Sequence, residues 1–158
     1  MTNQYLTILQ ESLVKKSQVL DEIKEYNDRQ LQMFREDRVS MDEFDSYVEE
    51  KGRLIEKISR LDEGFENLYA RISDEVAGNK QLYAEQIRTL QQLIREVTEK
   101  SVSVQAQEAR NKEQVEQYFR KQRQGIGQRR QTSEAARNYY KNMNNINVIQ
   151  PQFMDHKK

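Results

Sequence analysis

The feature that most constrains the fold is a seam of mostly apolar side chains in the middle of the chain. Its nine members alternate three and four positions apart: Phe44, Tyr47, Lys51, Leu54, Ile58, Leu61, Phe65, Leu68 and Ile72. This spacing places them on one helical face and is typical of coiled-coil packing. A second row widens the stripe and favours contact with two neighbours: Val48, Ile55, Tyr69 and Val76. The seam therefore predicts a helix over about residues 41–77, packed in a three-helix arrangement.

Two further helices flank this one. The first, over about residues 3–37, has an apolar row that polar Lys16 and Asn27 interrupt: Leu6, Leu9, Leu13, Leu20, Ile23, Leu31 and Phe34. The third, over about residues 80–124, repeats the spacing: Tyr83, Ile87, Leu90, Ile94, Val97, Ser101 and Val104. Glu108 and Asn111 stand at the next seam positions, so we expect the end of this helix to be poorly buried. The fold class is all-α, an elongated antiparallel three-helix coiled-coil-like bundle over residues 1–124.

Local signals mark the ends of the helices. Ser40 to Glu43 has the pattern of a capping box, in which the serine and glutamate side chains bond to free amide groups at a helix start. Gly78 is expected to stop the second helix at a tight turn before the third. Gly52 and Gly64 lie inside the second helix, where we expect another backbone to approach closely.

The C-terminal arm, residues 125–158, differs in composition from the bundle. Residues 110–158 contain 11 basic and four acidic side chains, whereas residues 1–78 contain 11 basic and 18 acidic ones. Gly125 and Gly127 break the third helix, and a short helix over 133–143 is the one regular element that the pattern supports. We therefore expect a basic, partly disordered, flexible arm. Its scattered apolar residues indicate docking, either on the bundle or on a partner.

The composition offers no catalytic machinery. The chain has no cysteine and one histidine, His156, which leaves transition-metal sites of the usual ligand type out of reach. It contains no phosphate-binding loop and no nucleophile elbow. The start resembles no signal peptide, and no apolar run is long enough to span a bilayer. These features predict a cytoplasmic protein that is not an enzyme, needs no cofactor or metal, does not insert into membranes and acts by binding another protein.

Residues 50–69 resemble the middle of flagellar export chaperones of the FlgN type. The likeness is carried by the Glu50-Lys51 start and by Leu61-Asp62-Glu63-Gly64-Phe65. The leucine-spaced first helix, the run Leu90-Gln91-Gln92-Leu93-Ile94 and the late pairs Ala135-Ala136 and Tyr139-Tyr140 fit the same layout. The resemblance implies a chaperone that binds the C-terminal segments of hook–filament junction proteins and delivers them to the type III export gate. Such a chaperone does not itself hydrolyse nucleotides.

The resemblance also implies site residues. Client contact in this family involves the C-terminal helical segments, which here places it at Val115, Tyr118, Phe119 and Ile126. Docking at the export apparatus involves a C-terminal tyrosine, which corresponds to Tyr139 or Tyr140. The family suggests no role for residues 144–158.

Other functions remain open from the sequence. A related chaperone for the filament cap shares the layout, and a structural coiled-coil spacer without a client would have the same seam. The basic C-terminal part alone would suit a nucleic-acid binder, but no nucleic-acid motif accompanies it, so we expect no nucleic acid among the partners. Coiled-coil seams pair equally well within one chain or between two, which leaves a homodimer open.

Overall fold

The computed structural model describes residues 1–126, of which the last three are described as backbone only, together with Asn138, Tyr139, Asn142 and Met143. Three helices account for most of this part: α1 (Thr2–Arg35), α2 (Met41–Gly78) and α3 (Ala84–Ile126). The described residues contain no strand, and the predicted all-α three-helix bundle is confirmed. Asn138, Tyr139, Asn142 and Met143 have helical backbone. The rest of the predicted helix over 133–143, and of the arm, lies outside the described residues.

Helix α1 packs along both other helices. It is antiparallel to α2, because Lys16 Nζ lies 2.7 Å from Asp62 Oδ1 while the rings of Phe34 and Phe44 meet at 6.1 Å near the connection. It is parallel to α3, because Gln86 donates to Asn3 Oδ1 at 3.1 Å near the starts of the two helices, and Phe34 meets Tyr118 at 5.6 Å near their ends. Helices of 34, 38 and 43 residues are about 50–65 Å long at roughly 1.5 Å per residue, so the bundle is elongated.

The core follows the seams, and it continues further along α3 than the sequence suggested. The expectation of a poorly buried end to this helix is wrong: Glu108, Asn111, Val115 and Phe119 are all buried. The two polar residues do not interrupt packing, because polar groups on α1 and α2 face them. The seam therefore stays closed to Phe119.

The connection between α1 and α2 is a short turn with caps on both sides. Asp37, which follows α1, has a φ of 56°, and the amide of Arg38 donates to the carbonyl of Met33 at 3.1 Å. At the start of α2, the amide of Glu43 donates to Ser40 Oγ at 3.3 Å, which confirms the serine half of the predicted capping box. The Glu43 carboxylate accepts a hydrogen bond from the hydroxyl of Tyr47 at 2.7 Å.

Three glycines of α2 behave differently from expectation. A Cβ atom built on Gly52, Gly64 or Gly78 would meet nothing within 4 Å, so the predicted close approach of another backbone at Gly52 and Gly64 is wrong. Gly78 is the last helical residue and not the stop itself. Asn79 ends the helix, with its side-chain amide donating to the carbonyl of Glu75 at 2.9 Å. Helix α3 then begins at Ala84, four residues later than predicted, and it includes Gly125, where the sequence predicted a break, before it ends at Ile126.

Candidate protein-binding site

A buried lysine organises the middle of the bundle. Lys51 comes from a seam position of α2, and its side chain has no solvent exposure. Its ammonium group donates to Asn27 Oδ1 at 2.8 Å and Gln30 Oε1 at 2.9 Å, both on α1. It also lies 3.1 and 3.3 Å from the two carboxylate oxygens of Glu108 on α3. One side chain thus joins all three helices.

A fourth segment completes the environment of this lysine. Tyr139, from the C-terminal arm, places its ring centroid 4.5 Å from Lys51 Nζ, within the range of a cation–π interaction. Its hydroxyl donates to Glu108 Oε2, the oxygen that also accepts from Lys51. Tyr139 is only 2% exposed. The ammonium, the carboxylate and the phenol therefore form one closed group, in which each charge has a partner.

Further amides extend this group along α1 and α3. Asn111 donates from its side chain to the main-chain carbonyl of Asn27 at 3.0 Å, and Asn27 donates to Gln107 Oε1 at 3.1 Å. Two buried atoms beside the network have no protein partner in the described part of the chain, Gln30 Nε2 and Asn111 Oδ1. Hydrogen bonding is therefore complete at the ammonium of Lys51 and incomplete at the two amide groups beside it.

Burial is the larger influence on the charge of this lysine. Removal from water lowers the pKa of Lys51 below its ordinary value of 10.5, and the nearby Glu108 carboxylate opposes that shift. A buried ammonium needs its acceptors in place, because an unpaired charge in the interior is costly. Burial of the Lys51 ammonium therefore depends on the Glu108 carboxylate beside it.

A groove opens beside the docked segment. It has a volume of about 370 Å³ and runs between α2 and the C-terminal residues. Its floor and rim are formed by the following residues of the two segments: Val48, Glu49, Gly52, Arg53, Ile55, Glu56, Asn138, Tyr139 and Asn142. We call this the α2 groove. Met143 is buried, one helical turn after Tyr139, whereas Asn138 and Asn142 are exposed.

A second groove lies between α1 and α2. It has a volume of about 210 Å³ and is more apolar than the first, with half-exposed Ile8 and partly buried Leu61 and Leu68 at its surface. Gly64 leaves space on its α2 side, and charged side chains of both signs line it, from Glu11, Lys15 and Arg60. We call this the α1–α2 groove. It offers a second surface for a helical segment.

The residues predicted from the family resemblance are placed as follows. Val115 and Phe119 are buried in the core, and Tyr118 is partly buried with its ring 5.7 Å from that of Phe119. Ile126 ends α3, and its side chain lies outside the described residues. Tyr139 is buried at Lys51, and Tyr140 lies outside the described residues. The structure therefore brings Tyr139 to a site on the bundle that sequence reasoning did not identify.

Sequence reasoning missed Lys51 and Glu108 as a pair. In the sequence, Lys51 is a member of the mostly apolar row of α2. Glu108 is a polar residue at the point where the apolar row of α3 ends. The available signal was a lysine, an asparagine and a glutamate at seam positions of three different helices, because buried charges require partners of this kind. Their register across three helices was needed to see that the three meet.

Two further properties of the described residues concern metal ions and membranes. No group of three or more histidine, cysteine, aspartate or glutamate side chains among them could hold a metal ion. The helices described in the structure are also too polar over any membrane-spanning length to cross a bilayer.

Comparisons with known proteins add no family: no family model, curated protein or solved structure matches this chain.

Proposed function

We propose that this protein is a non-enzymatic helical chaperone that binds segments of other proteins along α2. The supporting observation is the seating of Tyr139 and Met143 on a completed three-helix bundle. The bundle buries its own seam from Leu6 to Phe119 and still accepts an added amphipathic segment beside α2. A surface of this kind suits the binding of a partner helix in a groove.

The resemblance of residues 50–69 to flagellar export chaperones suggests which proteins this chaperone would bind. We propose a cytoplasmic chaperone for flagellar type III export, whose clients are the C-terminal segments of hook–filament junction proteins. Such segments lose backbone entropy when they fold on binding, which limits affinity and favours release at the export gate. The α2 groove, which includes Gly52 within the same run of residues, is the site that we assign to the client.

The burial of Val115 and Phe119 changes where client contact is expected. Charged substitutions at these two positions would open the core and unfold the end of α3, so they do not report on a binding surface. Glycines of α2 are better sites for blocking substitutions, because added atoms enter open space at Gly52 and Gly64. Each glycine lines a different groove.

The test is co-expression with candidate junction proteins, followed by size-exclusion chromatography with mass measurement. We expect a complex with the native chain and with Gly64→Phe, and weakening by at least about tenfold with Gly52→Phe, which fills the α2 groove. Both variants are first checked by thermal unfolding. The reverse pattern would move the client to the α1–α2 groove, and the absence of any complex would contradict the export function.

A structural spacer is the second candidate, and the continuous internal seam favours it. A spacer binds no client, so both phenylalanine variants would leave its behaviour unchanged. A filament-cap chaperone would instead form its complex with the cap protein in the same co-expression experiment. Binding of nucleic acid through the basic C-terminal part would weaken steeply as salt is raised.

A further inference from the structure

We propose that Lys51 and Glu108 form a receptor for a tyrosine side chain, which Tyr139 of the same chain occupies. A helical segment of another protein that carries a tyrosine, followed four positions later by an apolar residue, competes for the same receptor. This inference deepens the proposed function and rests on it for the source of the competing segment.

The contacts select a phenol over other aromatic groups. The ammonium of Lys51 lies 4.5 Å from the ring centroid of Tyr139, an interaction that any aromatic ring could supply. The hydroxyl adds a donor to Glu108 Oε2, inside a site where Glu108 and Lys51 are almost fully buried. A phenylalanine in the same place would leave that carboxylate oxygen with fewer donors in a dry environment. Sites built around a buried hydrogen bond discriminate strongly against ligands that lack the group.

The segment that holds Tyr139 has the character of a ligand. Tyr139 and Met143 are buried and four positions apart, whereas Asn138 and Asn142, which precede them, are exposed. Residues four positions apart lie on the same face of a helix, so Tyr139 and Met143 can contact the bundle together. A short helix is marginal in water by itself, so such a segment benefits from contacts with a receptor.

The surroundings leave room for exchange. The α2 groove of about 370 Å³ remains open beside Tyr139, and Gly52, where an added Cβ would meet nothing within 4 Å, lines it. An incoming segment can make its first contacts there, before the chain's own tyrosine leaves. The rim carries Glu49, Arg53 and Glu56, so neither sign of charge is imposed on the competitor. The recognised class is therefore an amphipathic helical segment defined by its tyrosine and its apolar residue at the fourth following position.

Competition within one chain predicts masking of the receptor. Tyr139 belongs to the same chain as its receptor, 13 positions after the end of α3 in the sequence, so its local concentration at the receptor exceeds that of a separate peptide. An added peptide of the same sequence should then bind the native chain weakly. It should bind much more tightly once the chain's own side chains are removed.

The experiment uses the full chain and a fluorescein-labelled synthetic peptide of its residues 133–147 as the probe. Fluorescence anisotropy should show binding to the variant Tyr139→Ala with Met143→Ala at least about tenfold tighter than to the native chain. The peptide with phenylalanine in place of the tyrosine should bind that variant about tenfold more weakly. The phosphotyrosine peptide should not bind, because its charge would face Glu108.

Matched controls separate the receptor from general effects of substitution. The variant Leu82→Ala with Val102→Ala removes exposed apolar side chains that line neither groove, and it should bind the peptide as weakly as the native chain does. The milder Tyr139→Phe keeps the ring and loses the hydroxyl, so it should also bind the tyrosine peptide more tightly than the native chain. It serves as the second measurement if the alanine variant does not fold.

The outcomes distinguish this inference from the proposed function. Equal affinity for the tyrosine and phenylalanine peptides would overturn the receptor, as would no gain in peptide binding by either folded variant. Peptide binding as expected, together with failure to co-purify any junction protein, would remove the export function and leave the receptor in place.

Discussion

Lys16 and Lys51 stand at seam positions of the same bundle and are both buried, but their surroundings differ. Lys16 of α1 meets Asp62 of α2 at 2.7 Å, in a contact between two helices. Lys51 meets groups from α1, α3 and the C-terminal segment. The side chain of Asp62 is 18% exposed, whereas that of Glu108 is 4% exposed. The first carboxylate keeps contact with water, and the second is enclosed.

The difference shows that one type of residue has two roles at seam positions of one bundle. A buried ion pair with access to water can fix the register of two helices without tying down anything else. A fully enclosed pair depends on every group around it, and one of those groups at Lys51 is the tyrosine of a separate segment. We call the layer of the bundle that contains Lys51 and its contacts the Lys51 level, and the layer that contains Lys16 and Asp62 the Lys16 level. At the Lys51 level, the docked segment is in direct contact with the buried ion pair.

The largest expected effect comes from removing each carboxylate in turn. Glu108→Ala should lower the free energy of unfolding by about 3–5 kcal/mol, because it leaves the ammonium of Lys51 buried without its charged partner. Asp62→Ala should cost less, because the 18% exposure of the Asp62 side chain gives water a route to the ammonium of Lys16 once the carboxylate is removed. Urea unfolding followed by circular dichroism measures both. Equal losses would show that the two levels are enclosed to the same extent.

The next comparison replaces each pair by apolar residues of similar size. Lys51→Met with Glu108→Leu should be neutral or should stabilise the bundle, by up to about 4 kcal/mol, since removing both charges removes their desolvation cost. Lys16→Met with Asp62→Leu should have a smaller effect in the same direction, because Asp62 is partly solvated. The first double variant should also lose the docking of Tyr139, which hydrogen exchange at the C-terminal segment would detect. Retained protection there would contradict the coupling.

The sequence predicted the three helices well because each has a regular seam that local periodicity reveals. It did not predict the Lys51 level, because a polar residue at a seam position looks like a break until its partners are known. Asn27 meets Lys51 on one side and Asn111 on the other only when the register of all three helices is set. That register is a tertiary property, and no spacing within one helix contains it.

The position of Tyr139 was also beyond local patterns. The composition predicts that the basic arm docks on the bundle or on a partner, and the family resemblance assigns Tyr139 or Tyr140 to docking at the export apparatus. Its contact with Glu108 joins residues 31 positions apart. Closure of such a loop depends on a complementary site elsewhere in the chain, which composition does not reveal.

The contributions of Asp62 and Lys51 to the free energy of unfolding should change with pH in opposite directions. Burial raises the pKa of Asp62 above 3.8, against the opposing charge of Lys16, so the folded state holds this proton at pH values where the unfolded chain has released it. Between 3.8 and the raised pKa, this group therefore stabilises the fold as the pH falls. Native chain and Asp62→Asn, compared by urea unfolding from about pH 7 to about pH 4, should show the native chain gaining stability relative to the variant.

The lysine level gives the opposite slope. The pKa of Lys51 is lowered by burial, which outweighs Glu108, so the unfolded chain binds this proton more strongly between the lowered pKa and 10.5. Stability from this group rises with pH across that window. Lys51→Met is the reference, and the native chain should gain relative to it as the solution becomes alkaline. A loss there would show that Glu108, Asn27, Gln30 and Tyr139 hold the ammonium more strongly than burial opposes it.

The smallest expected effects test whether the glycines beside the two lysine levels are equivalent. Gly52 adjoins Lys51 and Gly64 lies two residues after Asp62, and an added Cβ meets nothing within 4 Å at either position. Alanine should therefore stabilise each by about 0.5–1 kcal/mol through helix propensity alone. Gly78→Ala, at the end of α2, is the control and should gain less because helix ends fray. A smaller gain at Gly52 than at Gly64, measured by thermal unfolding, would indicate that a methyl group there disturbs the segment that carries Tyr139, and that this level alone depends on an open α2 groove.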